Sequence, residues 1–400
     1  MVRRRAAALA LAVLSLLSLT GCRGNFLPRA RDITQVQLMR TLAFDLGEEA
    51  DSVRVTVSGT TRRAGEQGQS QPPLILTREG YTVFGACFSL QKGSDGSTVD
   101  YGHVTEFVLG EEIARERLEG LIDYLERDFE MRLDTQVYLV AGATAEEAVT
   151  GSACRNSALT DRLSAISQDQ SLGGRQWPYT LRYLLSQLED NGCALLPVLT
   201  LEENPDYDPE QPGEEPEQNV TLSGLAYFGD RRLAGLLSRE ESRGAALLTD
   251  LCQSDSVEIT LPGGAAAGIT LVNASCYWEP HFDGDGRLAR LVARIRVQGE
   301  LSELRGAVDP FDAGQMDELE RLFSAELERQ AQAALDRSQS TGVDFLHLRR
   351  EMVFQCPLHT GELSEHWEEW FPALELEAVV EGRIVRSYDV NRTAEGEDTL

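Results

Sequence analysis

Histidine is scarce in this chain, positive charge is outnumbered, and no long hydrophobic run follows the first twenty residues. The five histidines, His103, His281, His347, His359 and His366, never form H-E-x-x-H, so a zinc-protease helix has no basis here. No G-x-S-x-G elbow, Walker loop or G-x-G-x-x-G fingerprint occurs, which removes the common nucleophile, nucleotide and dinucleotide frameworks. No C-x-x-C occurs either, so neither a zinc knuckle nor a dithiol redox site is expected. Lys and Arg number 37 against 65 Asp and Glu, a formal charge of −28. Such a chain repels phosphate backbones, and nucleic acid is not an expected partner. No catalytic residue, cofactor or metal ligand is predicted. Hydrophobic content of 42% is ample for folded domains.

The one apolar run is N-terminal. Arg3, Arg4 and Arg5 precede Ala6 to Leu19, a stretch almost entirely Ala, Leu and Val. Fourteen helical residues reach about 21 Å, short of the ~30 Å bilayer core, so the run suits the h-region of a signal peptide over residues 1–21. Leu19-Thr20-Gly21-Cys22 then resembles the bacterial lipobox. Small residues admit the extended backbone to a signal peptidase, and the Cys22 thiol takes a diacylglycerol through a thioether. Two acyl chains hold a protein on a membrane stably. The alternative is an ordinary secreted chain whose first cysteine falls here. Removing residues 1–21, with their three arginines and no acid, takes the formal charge from −28 to −31.

Six further cysteines, Cys87, Cys154, Cys193, Cys252, Cys276 and Cys356, leave fifteen possible pairings open. The apolar settings of Cys87 and Cys193 favour buried thiols.

Along the chain, Val53, Val55 and Val57 alternate as a half-buried strand. Residues 60–73 read as a polar loop, and 77–91 as a helix carrying Tyr81, Phe84 and Cys87. A strand over 104–109 leads to one long helix over 111–129, with Ala114, Leu118, Leu121, Ile122, Leu125 and Phe129 on a single face. A strand at 135–142 and a short helix follow, an α/β order. Residues 202–218, with four prolines and many acids, predict an exposed linker or long loop. A strand ending at Phe228, a Gly229-Asp230 turn and a second strand lead to Ser238 and Glu241, a capping box opening a helix. Strands follow near 256–261 and 268–278. The "DGDG" at 283–286 fits a hairpin turn better than a calcium loop, because Arg294 stands where such a loop needs Glu. A long helix over 314–338 and a strand through Leu374, Leu376 and Ala378 make the C-terminal region α+β. Trp367 and Trp370 are expected to pack the final sheet.

Two blocks carry a resemblance. "GHVTEFVLGEEIARERLEGLIDYLERDFEMR", 102–132, and "LSGLAYFGDRRLAGLLSREESRG", 222–244, resemble the signatures of the Ger(x)C spore germination lipoproteins. The first match runs through His103, Gly110, Glu111, Glu112, Arg127, Glu130 and Arg132. The second includes Gly224, Ala226, Phe228, Gly235, Ser238, Glu241, Arg243 and Gly244, with Ser242 where the family has Thr. "QGELSE" (298–303) and "HWEEWF" (366–371) also sit where family members carry similar runs.

The resemblance implies three small mixed α/β domains, α/β and α+β in class, and no catalysis. It implies the C subunit of a nutrient germinant receptor on the outer face of the inner spore membrane, beside two integral-membrane subunits, A and B. Combined with the punctuation of the chain, it divides the sequence into a signal peptide (1–21), an N-terminal α/β domain (22–200), an acidic linker (201–219), a small middle domain (220–263) and a C-terminal α+β domain (264–400). Cys22 is the lipidation site, and Arg127, Glu130, Arg132, Glu241 and Arg243 are the candidate docking residues. The competing reading is a substrate-binding lipoprotein of an ABC-type transporter, built as two similar lobes around a cleft. An envelope hydrolase would need the motifs that are missing.

Overall fold

A computed structural model describes residues 36–385, apart from 62–71, 94–97, 129, 156, 172–177, 212, 253–254, 307–308 and 310. The signal peptide, Cys22, most of the polar loop at 60–73 and Phe129 lie outside the described residues.

Two sheets organise the chain. The first runs β3-β2-β1-β5-β6-β7-β8-β9, with β4 also paired to β1. Its strands are β1 (Val36–Leu46), β2 (Val53–Thr61), β3 (Leu74–Gly80), β4 (Thr98–Asp100), β5 (Glu106–Gly110), β6 (Gln136–Val140), β7 (Ala194–Glu203), β8 (Gln218–Gly229) and β9 (Arg232–Leu236). β1, β5, β6 and β7 are parallel, as the α/β order implies, and antiparallel strands flank them on both sides. The central strands are buried on both faces, which is why β5 reads as an unbroken buried run.

Helices cover both faces. Helices α1 (Val83–Lys92), α2 (Glu111–Glu116), α3 (Leu118–Arg127) and α6 (Leu181–Asn191) share one apolar core with one face of the sheet. Helices α4 (Ala145–Gly151), α5 (Leu159–Ser171) and α7 (Arg239–Leu248) occupy the other core, which continues into the second sheet.

That sheet runs β10 (Ser256–Thr260), β11 (Ala266–Phe282), β12 (Leu288–Arg305) and β13 (Glu375–Val385). Helix α8 (Ala313–Thr341) buries Met316, Leu319, Phe323, Leu327 and Leu335 on one side, as its spacing predicts. Helices α9 (Leu348–Gln355) and α10 (Thr360–Trp370) lead to β13, which pairs parallel with β12. Trp367 and Trp370 of α10 are buried in this core. At the β11–β12 turn, the Asp283 carboxylate accepts from the Asp285 and Arg287 backbone N–H groups at 3.0 and 2.9 Å. The aspartate thus serves its own turn.

Two helices differ from the sequence expectation, and for the acidic stretch the structure takes the long-loop reading. The helix expected over 77–91 begins only at Val83, capped by Thr82, because residues 74–80 pair with β2 as a strand. The long helix over 111–129 is two helices. Arg117 breaks it with φ −137°, and its guanidinium reaches the backbone carbonyl and carboxylate of Asp51. The break lets Ile113 and Ala114 of α2 and Leu118, Leu121 and Leu125 of α3 all reach the core. Residues 204–217 join β7 to β8, antiparallel neighbours from Ala194↔Phe228 to Glu203↔Gln218. The acidic stretch therefore caps a hairpin inside one sheet. Residues 220–263 supply β8 and β9 to the first sheet, α7 between the sheets and β10 to the second.

Candidate interaction surface

Helix α7 is the joint between the sheets, and the second sequence block builds it. The Ser238 hydroxyl caps the helix by accepting from Glu241 N–H at 3.2 Å, and the Glu241 carboxylate accepts from Ser238 N–H at 2.7 Å. Ser242 Oγ accepts from Leu225 N–H at 2.9 Å, tying α7 to β8. A Cβ on Gly224 would sit 2.7 Å from that same oxygen, so the glycine is needed for the close approach. Arg243 turns inward, with 8% of its side chain exposed. Its Nε donates to Asp255 Oδ2 at 2.5 Å, Nη1 to Gln330 Oε1 at 3.1 Å and Nη2 to the Ser256 carbonyl at 2.9 Å. One guanidinium therefore binds α7 to α8 and to the start of β10.

On the same side, Arg329 of α8 donates to Glu240 at 2.7 and 2.8 Å, and Arg337 donates to Glu241 at 2.8 Å. Burial alone would raise the Glu241 pKa, but the hydrogen bonds from Ser238 and Arg337 offset it and hold the carboxyl below its usual range. Glu241 and Arg243, expected at a docking surface, are thus committed within the molecule. Sequence could not show this, because the partners lie up to 96 positions away.

A second seam ties α6 to α9. Arg349 Nη2 donates to the Asp190 carbonyl at 2.9 Å, and Asn191 Nδ2 to the Asp344 carbonyl at 3.1 Å. The Asp344 carboxylate receives Leu348 and Arg349 N–H at 2.8 and 3.0 Å. Burial still pushes its pKa up to about 6. Burial also holds the His347 imidazole well below its ordinary value, 3.6 Å from Asp190.

The first sequence block splits between inside and outside. Gly110 lies in the core, where a Cβ would come within 2.2 Å of Asp45 Oδ1. That carboxylate accepts from Ala145 and Glu146 N–H at 2.8 and 2.9 Å, holding α4 against β1. Arg127 and Arg132 face solvent, paired with Asp123 and Asp134 at 2.8 and 2.6 Å. Such exposed pairs contribute little stability. Glu130 is half-buried in the turn that follows α3, where its N–H donates to Asp128 Oδ1 at 3.0 Å.

Beside this end of α3 lies a groove of about 650 Å³ between α1 and α3. Val83, Ile113 and Leu121 form its floor, Tyr81 and Phe84 one wall, and Arg117 and Arg127 the other. The outer face of α1 is aromatic: Phe84 and Phe88 are 64% and 50% exposed, and Tyr81 just ahead is 70% exposed. Cys87, Cys154 and Cys193 are buried and form no disulfide, and burial pushes the Cys87 thiol up to about 11 and Cys193 to about 12. Among the described residues no cluster of three or more His, Cys, Asp or Glu could hold a metal, and no helix is long and apolar enough to cross a membrane.

The model of the spore germination protein N-terminal domain matches residues 29–201, and the model of the spore germination B3/GerAC-like C-terminal domain matches 223–388. The chain belongs to the Ger(x)C family of spore germination proteins. Two Ger(x)C relatives are the Bacillus cereus spore germination protein GerQC, 19% identical over 361 residues covering 90% of this chain and 94% of that protein, and the Bacillus subtilis (strain 168) putative spore germination protein YfkR, 21% identical over 373 residues covering 90% and 91%. The crystal structure of the GerBC protein superposes with a TM-score of 0.53 at 16% identity, over 86% of this chain and 96% of that one. The mixed, multidomain Ger(x)C fold is therefore shared. The two family matches stop and restart across the acidic hairpin loop, while the sheet runs through it.

Proposed function

We propose that this chain is the lipid-anchored C subunit of a nutrient germinant receptor. It acts on the outer face of the inner spore membrane by contact with the integral-membrane A and B subunits, and it has no catalysis of its own. The observation that carries this reading is the pairing of two family matches over most of the chain with a lipobox at Leu19–Cys22. The geometry supports a binding role. Glu241 and Arg243 make the body rigid from within, and the groove between α1 and α3, with Arg117 and Arg127 along one side, faces outward. The transporter reading called for two similar lobes, and the two sheets differ in strand number and order.

The test is genetic and biochemical. Spores lacking the gene are expected to keep their refractility in a nutrient that triggers the parent strain. The tagged protein is expected to co-purify with two polytopic membrane proteins encoded beside it. Normal germination of the deletion strain with every nutrient, or co-purification with an ATPase and permease, overturns the reading. Cys22→Ala is expected to release the chain from the membrane fraction, and unchanged retention overturns the anchor.

A further inference from the structure

Helix α1 is apolar on both faces. Val83, Ala86, Cys87 and Leu90 point into the core. On the opposite side Phe84 and Phe88 stack with ring centroids 6.0 Å apart, and the Lys92 ammonium lies 4.5 Å over the Phe88 ring. A helix at a protein surface ordinarily turns charged residues outward. This one carries no acid in a chain of 65 acids, and its single charge is the only lysine in the sequence. An exposed apolar patch of this kind marks a contact.

The placement of α1 indicates which contact. At its C-terminal end Gln91 Oε1 accepts from Val99 N–H at 3.1 Å, in β4. β4 pairs with Val36, Gln37 and Leu38, the first described residues of β1. Val36, the first described residue, therefore lies near this end of α1. Thirteen residues separate Cys22 from Val36, a stretch of chain that reaches at most about 50 Å, and α1 itself is about 15 Å long. An acyl group at Cys22 keeps the whole aromatic face within reach of the bilayer.

We propose that the Phe84–Phe88–Lys92 face of α1, with Tyr81, rests in the headgroup region of the membrane, as a second contact beside the acyl anchor. This rests on the lipid-anchor reading above. Aromatic rings suit the boundary between acyl chains and headgroups, and a lysine above them meets lipid phosphate. An acidic body gains most from such a contact where carboxylates are few: α1 itself carries none, and those nearest the face are Glu49, which accepts from the Tyr81 hydroxyl at 2.9 Å, and Asp123 and Asp128 across the groove. A protein partner needs polar groups that specify it, and those line the α3 side of the groove at Arg117, Asp123 and Arg127.

The test uses the full chain and phosphatidylcholine vesicles in two arms. In the first, unacylated Cys22→Ala protein is compared with the same protein carrying F84S and F88S. Both rings are exposed, so circular dichroism and thermal midpoint are expected to match. Vesicle partitioning is expected to fall about tenfold, and equal partitioning overturns the proposal. In the second, acylated protein carries F88W, whose emission over the parent protein is expected to shift to the blue and to be quenched by brominated acyl chains. Unquenched emission from vesicle-bound protein overturns the proposal and leaves the anchor standing. Quenching of F88W by lipid in a chain found to lack the acyl group supports the face and overturns the anchor. A photo-crosslinker at position 88 that captures a membrane subunit in place of lipid also overturns the proposal.

Discussion

Gly244 of α7 lies against the backbone of Gln330 in α8, so close that a Cβ on the glycine would fall 2.0 Å from the Gln330 carbonyl oxygen. A glycine in a helix interior normally costs about 1 kcal/mol relative to alanine. Here the close approach of two helices outweighs that cost. Gly244→Ala is expected to destabilise the protein by about 1–3 kcal/mol as α7 is forced off α8. A fall in the urea midpoint at unchanged slope would check it. A rise would mean that the joint yields easily.

Arg243 gives a second test of the same joint. Removing it leaves Asp255, Gln330 and the Ser256 carbonyl without their shared donor. Loss of one partner from a buried ion pair costs about 3–5 kcal/mol, and Asp255, 36% exposed, regains some water. Arg243→Ala should therefore cost about 3 kcal/mol by chemical denaturation. Arg243→Lys should recover only part of it, since an ammonium cannot fork to three acceptors.

Glu106 sits in β5 with 2% of its surface exposed. Burial pushes its pKa from 4.5 up to about 7, against the hydrogen bonds from Thr105, Thr160 and Thr41. A raised carboxyl pKa means that the folded state holds the proton more tightly than the unfolded chain. The stability contribution is therefore full below about pH 4.5 and is lost as pH rises through about 7, a swing on the order of 3 kcal/mol. Glu106→Gln is expected to be more stable than the parent at pH 8, with the gap closing toward pH 5. Parallel denaturation curves at the two pH values would refute the buried-carboxyl account.

Arg127 and Arg132 face water and pair with the nearby Asp123 and Asp134. Reversing both to Glu should change stability by less than about 1 kcal/mol. It should weaken co-purification with the membrane subunits while leaving membrane retention intact. Loss of retention would mean that this end of α3 meets lipid and not protein.

Local signals were legible. The capping box at Ser238 and Glu241, the Asp283 turn and the long stripe of α8 each depend on residues a few positions apart, and each formed as read. What escaped depends on distant partners. Arg117 breaks a continuous apolar stripe because Asp51, from another loop, holds it. Arg243 looked like a surface charge because Gln330 is 87 positions away. Phe84 and Phe88, four apart, have the spacing of a core stripe, and only the strands beneath α1 decide that Cys87 points in and the rings point out.

β8 follows the acidic hairpin and completes the sheet begun more than 150 residues earlier. Cutting the chain at residue 201, where the first family match ends, would strip β7 of its antiparallel neighbour and expose the ladder of its remaining eight residues, 194–201. Such a fragment would seek strands from other molecules and clump. Anyone dividing this protein for separate study should keep the chain intact through Leu236.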